Sequence, residues 1–140
     1  MPTNDYDLYA ALVDAAAEQS DLAALQKYTP LLEALAAAYG HRLYQGIAQR
    51  AWGVIYRLIG DSKEAESRFT SATIIFDSLD TRWQLGRTYM KLGELAQARS
   101  GWQTATQYYT DALTAFESLG ARVDAQRARA ALLRSAGSRW

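Results

Sequence analysis

A 40-residue internal repeat runs through this chain, and it leaves few folds open. Offsetting the sequence by 40 residues pairs Gly46 with Gly86, Gly53 with Gly93, Ala65 with Ala105, Phe69 with Tyr109, Ala72 with Ala112, Phe76 with Phe116 and Leu79 with Leu119. Small and large apolar residues therefore recur at fixed places. A chain built this way repeats a unit that cannot bury its apolar face alone and stacks it on its neighbours. The repeat divides the 140 residues into a degenerate first copy over 1–40, copies over 41–80 and 81–120, and a terminal helix over 121–137 that caps the array. The length suits one domain and not two independent cores.

Each copy reads as two helices. In the second copy helical periodicity runs from Arg42 to Ile59 and stops at Gly60, a residue free to take positive φ at a helix end. Asp61 opens Asp-Ser-Lys-Glu, in which Asp61 accepts an orphan amide and Glu64 reaches back. The following helix extends to about Ser78. In the third copy Ser100 and Gln103 take the capping places between helices over Trp83–Arg99 and Trp102–Ser118. Gly40, Asp80 and Gly120 close the three copies. The first copy still aligns Asp21, Leu35 and Tyr39 with Asp61, Ile75 and Leu79, but it carries Pro30 inside its second helix. Proline removes a backbone donor there, so the expectation is a kink or a break, with Thr29 capping a new helix as the alternative. Val123 to Ala136 forms one more first-type helix without a mate, which gives seven helices in all.

Composition agrees with an all-α fold: 49% of residues are apolar, alanine is abundant, and the two prolines spare the well-repeated part. No apolar run reaches the ~20 residues of a membrane span, and no basic segment leads into an apolar one at the start, so a soluble cytoplasmic protein is expected. Fifteen basic and fifteen acidic side chains cancel, against a nucleic-acid partner. The balance is uneven along the chain. Residues 1–40 carry six acidic groups against one lysine, whereas residues 121–140 carry five arginines against Asp124.

Glycines and alanines at matched places let helix axes approach, with large residues filling the space around each crossing. Gly53 and Gly93 are expected to face Ala65, Ala72, Ala105 and Ala112, with Trp52, Tyr56, Phe69 and Phe76 as core plugs. Trp52, Gly53, Tyr56, Ala65, Phe69 and Ala72 resemble the tetratricopeptide signature, as do Leu92, Gly93, Ala96, Ala105, Tyr109 and Ala112. The ending Ala112-Leu113-Thr114-Ala115-Phe116-Glu117-Ser118-Leu119-Gly120 is similar to a 40-residue variant found in helical regions of MalT-like activators and ATPase-linked cyclases of bacterial signalling. The resemblance is good over 41–135 and weak over 5–40. It implies a right-handed superhelical solenoid of antiparallel helices that holds a protein or peptide on a concave face lined by the first helices. Whether the chain is a whole protein or a portion of a signalling protein is open, with excision the expectation.

Carried over by register, that face is lined by Asp7, Ala10 and Asp14, by Ile47, Arg50, Val54 and Arg57, by Arg87, Met90, Glu94 and Gln97, and by Arg127, Ala130 and Arg134. Five of these are arginines, whose planar fork matches carboxylate or phosphate, so an acidic or C-terminal peptide is the sharp expectation. Solvated or ion-paired surface arginines are the plainer one. The lysine and asparagine set with which some relatives clamp a terminal carboxylate is missing at these positions.

Catalysis has little to work with. His41 is the single histidine and cysteine is absent, so no metal cluster or thiol nucleophile is expected, and the glycines are dispersed instead of forming a phosphate loop. His41 reads as a surface or capping residue. Glu64 and Glu66 stand two apart on a helix and point differently. No cofactor is expected. The alternative to peptide binding is self-association, the acidic N-terminal end docking on the basic last helix of another copy to give a homo-oligomer. Trp83, Tyr89, Trp102 and Tyr108 are expected to cover helix seams, and Trp140 either tucks into the open end of the stack or stays loose.

Overall fold

The computed structural model describes residues 5–137, with side chains from Asp7 onward; Trp140 lies outside the described residues. Among the described residues there are seven helices and no strand: α1 (Asp5–Glu18), α2 (Leu22–Ala38), α3 (Arg42–Leu58), α4 (Ser62–Ser78), α5 (Arg82–Ala98), α6 (Trp102–Ser118) and α7 (Arg122–Gly137). This is an all-α helical-repeat fold of tetratricopeptide-like type, and all five helices from α2 to α6 are 17 residues long. The chain divides into two compact units, one up to Ile75 and one from Phe76 onward.

One turn design links all the helices. Ser20, Gly40, Gly60, Asp80, Ser100 and Gly120, every twentieth residue, take positive φ between 53° and 91°. The next residue donates its amide back to a carbonyl five positions earlier, as in Asp61 N to Tyr56 O at 2.8 Å and Gly101 N to Ala96 O at 2.8 Å. The positive-φ residue itself donates three positions back, as in Gly60 N to Arg57 O at 3.1 Å. This pair of bonds is the Schellman motif, which satisfies carbonyls a helix end would otherwise leave open. The last residue of each turn is also the first cap of the following helix: the Asp61 carbonyl accepts from Ala65 N at 3.0 Å, and its Oδ1 accepts from Glu64 N at 3.1 Å.

Four sequence expectations are corrected here. In the third copy Gly101, not Ser100, is the cap, and it offers no side-chain bond; Ser100 occupies the place of Gly60 one residue earlier. Glu64 does not complete a capping box. It pairs with Arg68 one turn on, at 3.0 Å. Helix α2 is not broken at Pro30, and Thr29 is interior to it and starts nothing. Pro30 and Gln26 are both exposed, so the Gln26 carbonyl that loses its amide partner lies open to water. Finally, Trp52 and Tyr56 are not core plugs. Both are half-buried, with the Arg68 guanidinium over their rings at 5.7 and 5.5 Å.

In the first unit α1 packs on α2 and α3, and α2 on α3. Val13, Leu25, Leu32, Ala48, Val54, Ala65, Phe69 and Ala72 are all fully buried there. Gly53 is a close approach: a Cβ on it would stand 2.5 Å from the Phe69 ring. In the second unit α6 packs on both α5 and α7. Gly93 and Gly86 admit the Tyr109 and Phe116 rings, which an added Cβ would meet at 2.4 and 2.7 Å. Ala112, Phe116, Ala125 and Ala128 form one cluster, Ala105, Tyr109 and Ala131 another, and the half-buried Met90 packs against both. Each fully buried Phe contributes on the order of 2 kcal/mol of transfer energy, which the glycines opposite make accessible.

Candidate functional site

The first-type helices carry the residues picked out by register, and the two units treat them differently. In the first unit Ala10, Ile47 and Val54 are buried. Arg50 is 2% exposed, and its Nη2 lies 3.1 Å from Asp14 Oδ1, so α1 and α3 are tied by an ion pair within their packing. Arg57 reaches Ser20 Oγ at 3.3 Å while its Nε finds no partner among the described residues. Asp7 is exposed and accepts from the Tyr44 hydroxyl. The arginines expected to stand together thus include one, Arg50, that is committed to structure. Such a pair, 36 residues apart in sequence, leaves no local signal.

In the second unit the matching residues are more open. Trp83, Arg87, Met90, Glu94 and Gln97 fall at spacings of four, three, four and three along α5 and so share one face. Trp83 is exposed, and its Nε1 donates to Asp124 Oδ2 of α7 at 3.0 Å, joining the two first-type helices. The Arg87 guanidinium lies 4.6 Å from the Trp83 ring centroid and bonds Gln84 Oε1 at 3.3 Å. Glu94 pairs loosely with Lys91, at 3.9 Å. Gln97 Oε1 accepts from the Tyr109 hydroxyl at 2.9 Å. Burial first, and then the Glu94 carboxylate, push that hydroxyl up to about 12 against the opposing Arg134 guanidinium of α7. Glu94, Gln97 and Arg134 are therefore drawn together around Tyr109. Arg127, Ala130 and Arg134 are exposed on α7.

Trp83, Tyr89, Trp102 and Tyr108 divide along the same lines. Tyr89 stacks on Tyr108 with centroids 6.2 Å apart, and its hydroxyl is raised by burial and then by Asp111 and Asp77. Trp102 is half-buried, which leaves Trp83 as the exposed anchor of the four. His41 caps α3, with Nδ1 accepting from Tyr44 N at 3.4 Å and its ring stacked on Tyr44. Among the described residues no three His, Cys, Asp or Glu side chains converge to hold a metal ion, and no helix is long and apolar enough to cross a membrane.

Each unit also contains a cleft that register reasoning passed over. One of about 460 Å³ is lined by Glu33 and Ala37 of α2, Arg42, Gln45 and Gln49 of α3, and Ser71, Ile74 and Ile75 of α4. One of about 470 Å³ in the second unit includes Glu117, Arg122, Ala125 and Arg129. These four stand 80 residues after Ala37, Arg42, Gln45 and Gln49, so the clefts occupy one repeat position. Arginine at 42, 82 and 122, the first residue of α3, α5 and α7, was the available signal. In the second cleft Arg129 already holds Glu117 at 2.6 Å.

No protein-family model and no curated protein matches the chain in sequence. Among solved structures it is similar to one described as the crystal structure of BtubC (BKLC) from P. vanneervenii, with a TM-score of 0.63 and 19% sequence identity. The match covers 99% of this chain and 66% of that one. At this identity the similarity speaks for the fold.

Proposed function

We propose that the chain is a non-catalytic protein-interaction module of the tetratricopeptide kind, whose second unit offers α5 and α7 to an acidic peptide segment. The observation that carries this reading is the placing of Arg87, Arg127 and Arg134 on the two helices that Trp83 and Asp124 join, with the Arg87 guanidinium over the exposed Trp83 ring. Guanidinium forks bind carboxylates in pairs, and an indole supplies an apolar anchor with one polar end. Arg50 takes no part, since it is buried against Asp14. Reading the chain as non-catalytic is supported by the use of its one histidine as a helix cap.

Titrating a glutamate-rich peptide and a neutral peptide of equal length against the chain tests it. An Arg87→Ala, Arg127→Ala variant is expected to lose about tenfold in affinity for the acidic peptide at low salt, since tenfold is 1.4 kcal/mol and two charge-assisted contacts are removed. Equal affinity of the variant and the parent, or equal binding of the neutral peptide, overturns the acidic-segment reading.

A further inference from the structure

Helix α1 is apolar on two sides. Ala10, Val13, Ala16 and Ala17 are buried, while Leu8, Ala11, Leu12 and Ala15 form an exposed stripe at helical spacing, with Leu8 58% and Leu12 37% exposed. An apolar stripe on a helix is a packing face. The repeat register says what such a stripe meets in the later copies. Forty residues on, Ala48, Ala51 and Ile55 are buried in α3. At the same places in α7, Ala128 packs with Ala112 and Phe116, Ala131 packs with Ala105 and Tyr109, and Ser135 Oγ lies 3.0 Å from Thr106 Oγ1. All of those partners are on α6, the helix before α7. The α1 stripe is thus the face with which a first-type helix meets its predecessor.

Helix α7 shows the converse. Gln126 and Leu133 hold the register of Gly86 and Gly93, which in α5 receive Phe116 and Tyr109 from the following helix. Here nothing among the described residues covers that face, and Leu133 is 75% exposed, Val123 62%. Charge then selects the occupant. Asp7 and Glu18 line one border of the α1 stripe, whereas Arg127 and Arg134 stand beside the apolar face of α7. Pairing α1 with α1 sets carboxylate against carboxylate, and pairing α7 with α7 sets arginine against arginine.

We infer that the α7 face of one copy docks on the α1 stripe of a second copy, head to tail, with Leu133 and Val123 against Leu8 and Leu12 and the arginines toward Asp7 and Glu18. The inference rests on the reading of Arg127 and Arg134 as a surface for carboxylates, and it names a carboxylate-bearing helix of the same chain as an occupant. A heterologous contact of this kind extends into a ring or a filament, since each copy keeps one face of each type.

Light scattering over a concentration series, with Leu12→Asp and Leu133→Asp variants, provides the test. The parent chain is expected to exceed its 15.5 kDa mass increasingly with concentration and to fall back toward it at high salt. Each variant alone is expected to stay at 15.5 kDa, because one face is blocked, and an equal mixture to give a species of twice that mass. A parent that stays at 15.5 kDa throughout overturns the inference, as does association by either variant alone or a mixture that does not pair. Circular dichroism verifies that the variants remain helical; should either unfold, Arg127→Glu with Arg134→Glu and Glu18→Lys block the same two faces through exposed charges. Acidic-peptide binding by a chain that never associates would remove this inference alone, whereas association without peptide binding would remove only the peptide.

Discussion

The α1–α2 hairpin and the α5–α6 hairpin share one repeat register but fill their seams with different residues. In α5–α6 the first helix is hollowed at Gly86 and Gly93, and the second fills the hollows with Phe116 and Tyr109 beside Ala105 and Ala112. In α1–α2 the place of Gly93 holds Val13, the place of Tyr109 holds Thr29, and Leu25 and Leu32 stand where the alanines were, all of them fully buried. At the edge of each seam the pairing is retained: Tyr9 stacks on Tyr28 with centroids 6.1 Å apart, and 80 residues later Tyr89 stacks on Tyr108 at 6.2 Å. Register is kept while the residues are not: Val13 with Thr29 make up about the bulk of Gly93 with Tyr109, and leucine for alanine at 25 and 32 adds to it. At the pair of Val13 and Thr29 bulk has moved from the second helix to the first, so either helix can supply the filling at that place.

The sharpest way to break that comparison is to move one half of a pair without the other. Gly93→Val places side-chain atoms where the Tyr109 ring stands, and a loss of about 3 kcal/mol is expected in urea denaturation. Adding Tyr109→Thr transplants the pair found at Val13 and Thr29. The double variant is expected to regain at least half of the loss, a coupling that a double-mutant cycle reads directly. If the double variant is less stable than the single one, exchange of bulk between helices is not what makes the two hairpins equivalent.

A second difference is chemical. Tyr109 buries a hydroxyl raised to about 12, whereas the matching Thr29 does not titrate. Above the ordinary tyrosine value of 10.0 the unfolded chain releases this proton while the folded chain keeps it, so stability falls as pH rises from about 10 to about 12 and is fully present below. The expected contribution is on the order of 2 kcal/mol. Comparing the alkaline denaturation of the parent with Tyr109→Phe isolates it. A variant as alkali-sensitive as the parent would assign the loss to other tyrosines.

Thr29 brings its own liability: it is fully buried, and its Oγ1 has no hydrogen-bond partner among the described residues. Thr29→Val keeps the shape and removes the unmatched hydroxyl, and a gain of about 1 kcal/mol in thermal or chemical denaturation is expected. No gain would mean that the hydroxyl is served by water.

How far the sequence could be read follows from the same contrast. Gly53, Gly93, Phe69 and Tyr109 were legible as a seam because glycine and aromatic recur at identical offsets. The first copy looks eroded because Val13 and Thr29 stand where the third copy has Gly93 and Tyr109, and Leu25 and Leu32 where it has alanine. The turns at Gly40, Gly60, Asp80 and Gly120 were legible, but Ser100 was read as a cap, since serine favours that role and its positive φ has no sequence mark. Whether Pro30 would break α2 was not legible, because the exposure of Gln26 is a tertiary property. At the candidate surface the loss of Arg50 to Asp14 depends on how α1 lies on α3, which no local pattern records.

Backbone turns supply the control for the comparison, because they ought to be indifferent to how each seam is filled. Ser20 closes α1 onto α2 with φ 53°, and Ser100 closes α5 onto α6 with φ 61°. Both hold an L-residue where glycine carries no Cβ penalty. Ser20→Gly and Ser100→Gly are each expected to stabilise the chain, by about 0.5 to 1 kcal/mol after the entropy glycine adds to the unfolded state is subtracted. The Ser20 variant should gain slightly less, because Ser20 Oγ accepts a 3.3 Å bond from Arg57. Near-equal gains, measured by urea denaturation, would place the difference between the hairpins wholly in their side chains. A gain in one and a loss in the other would show that redistributing bulk has strained the backbone as well.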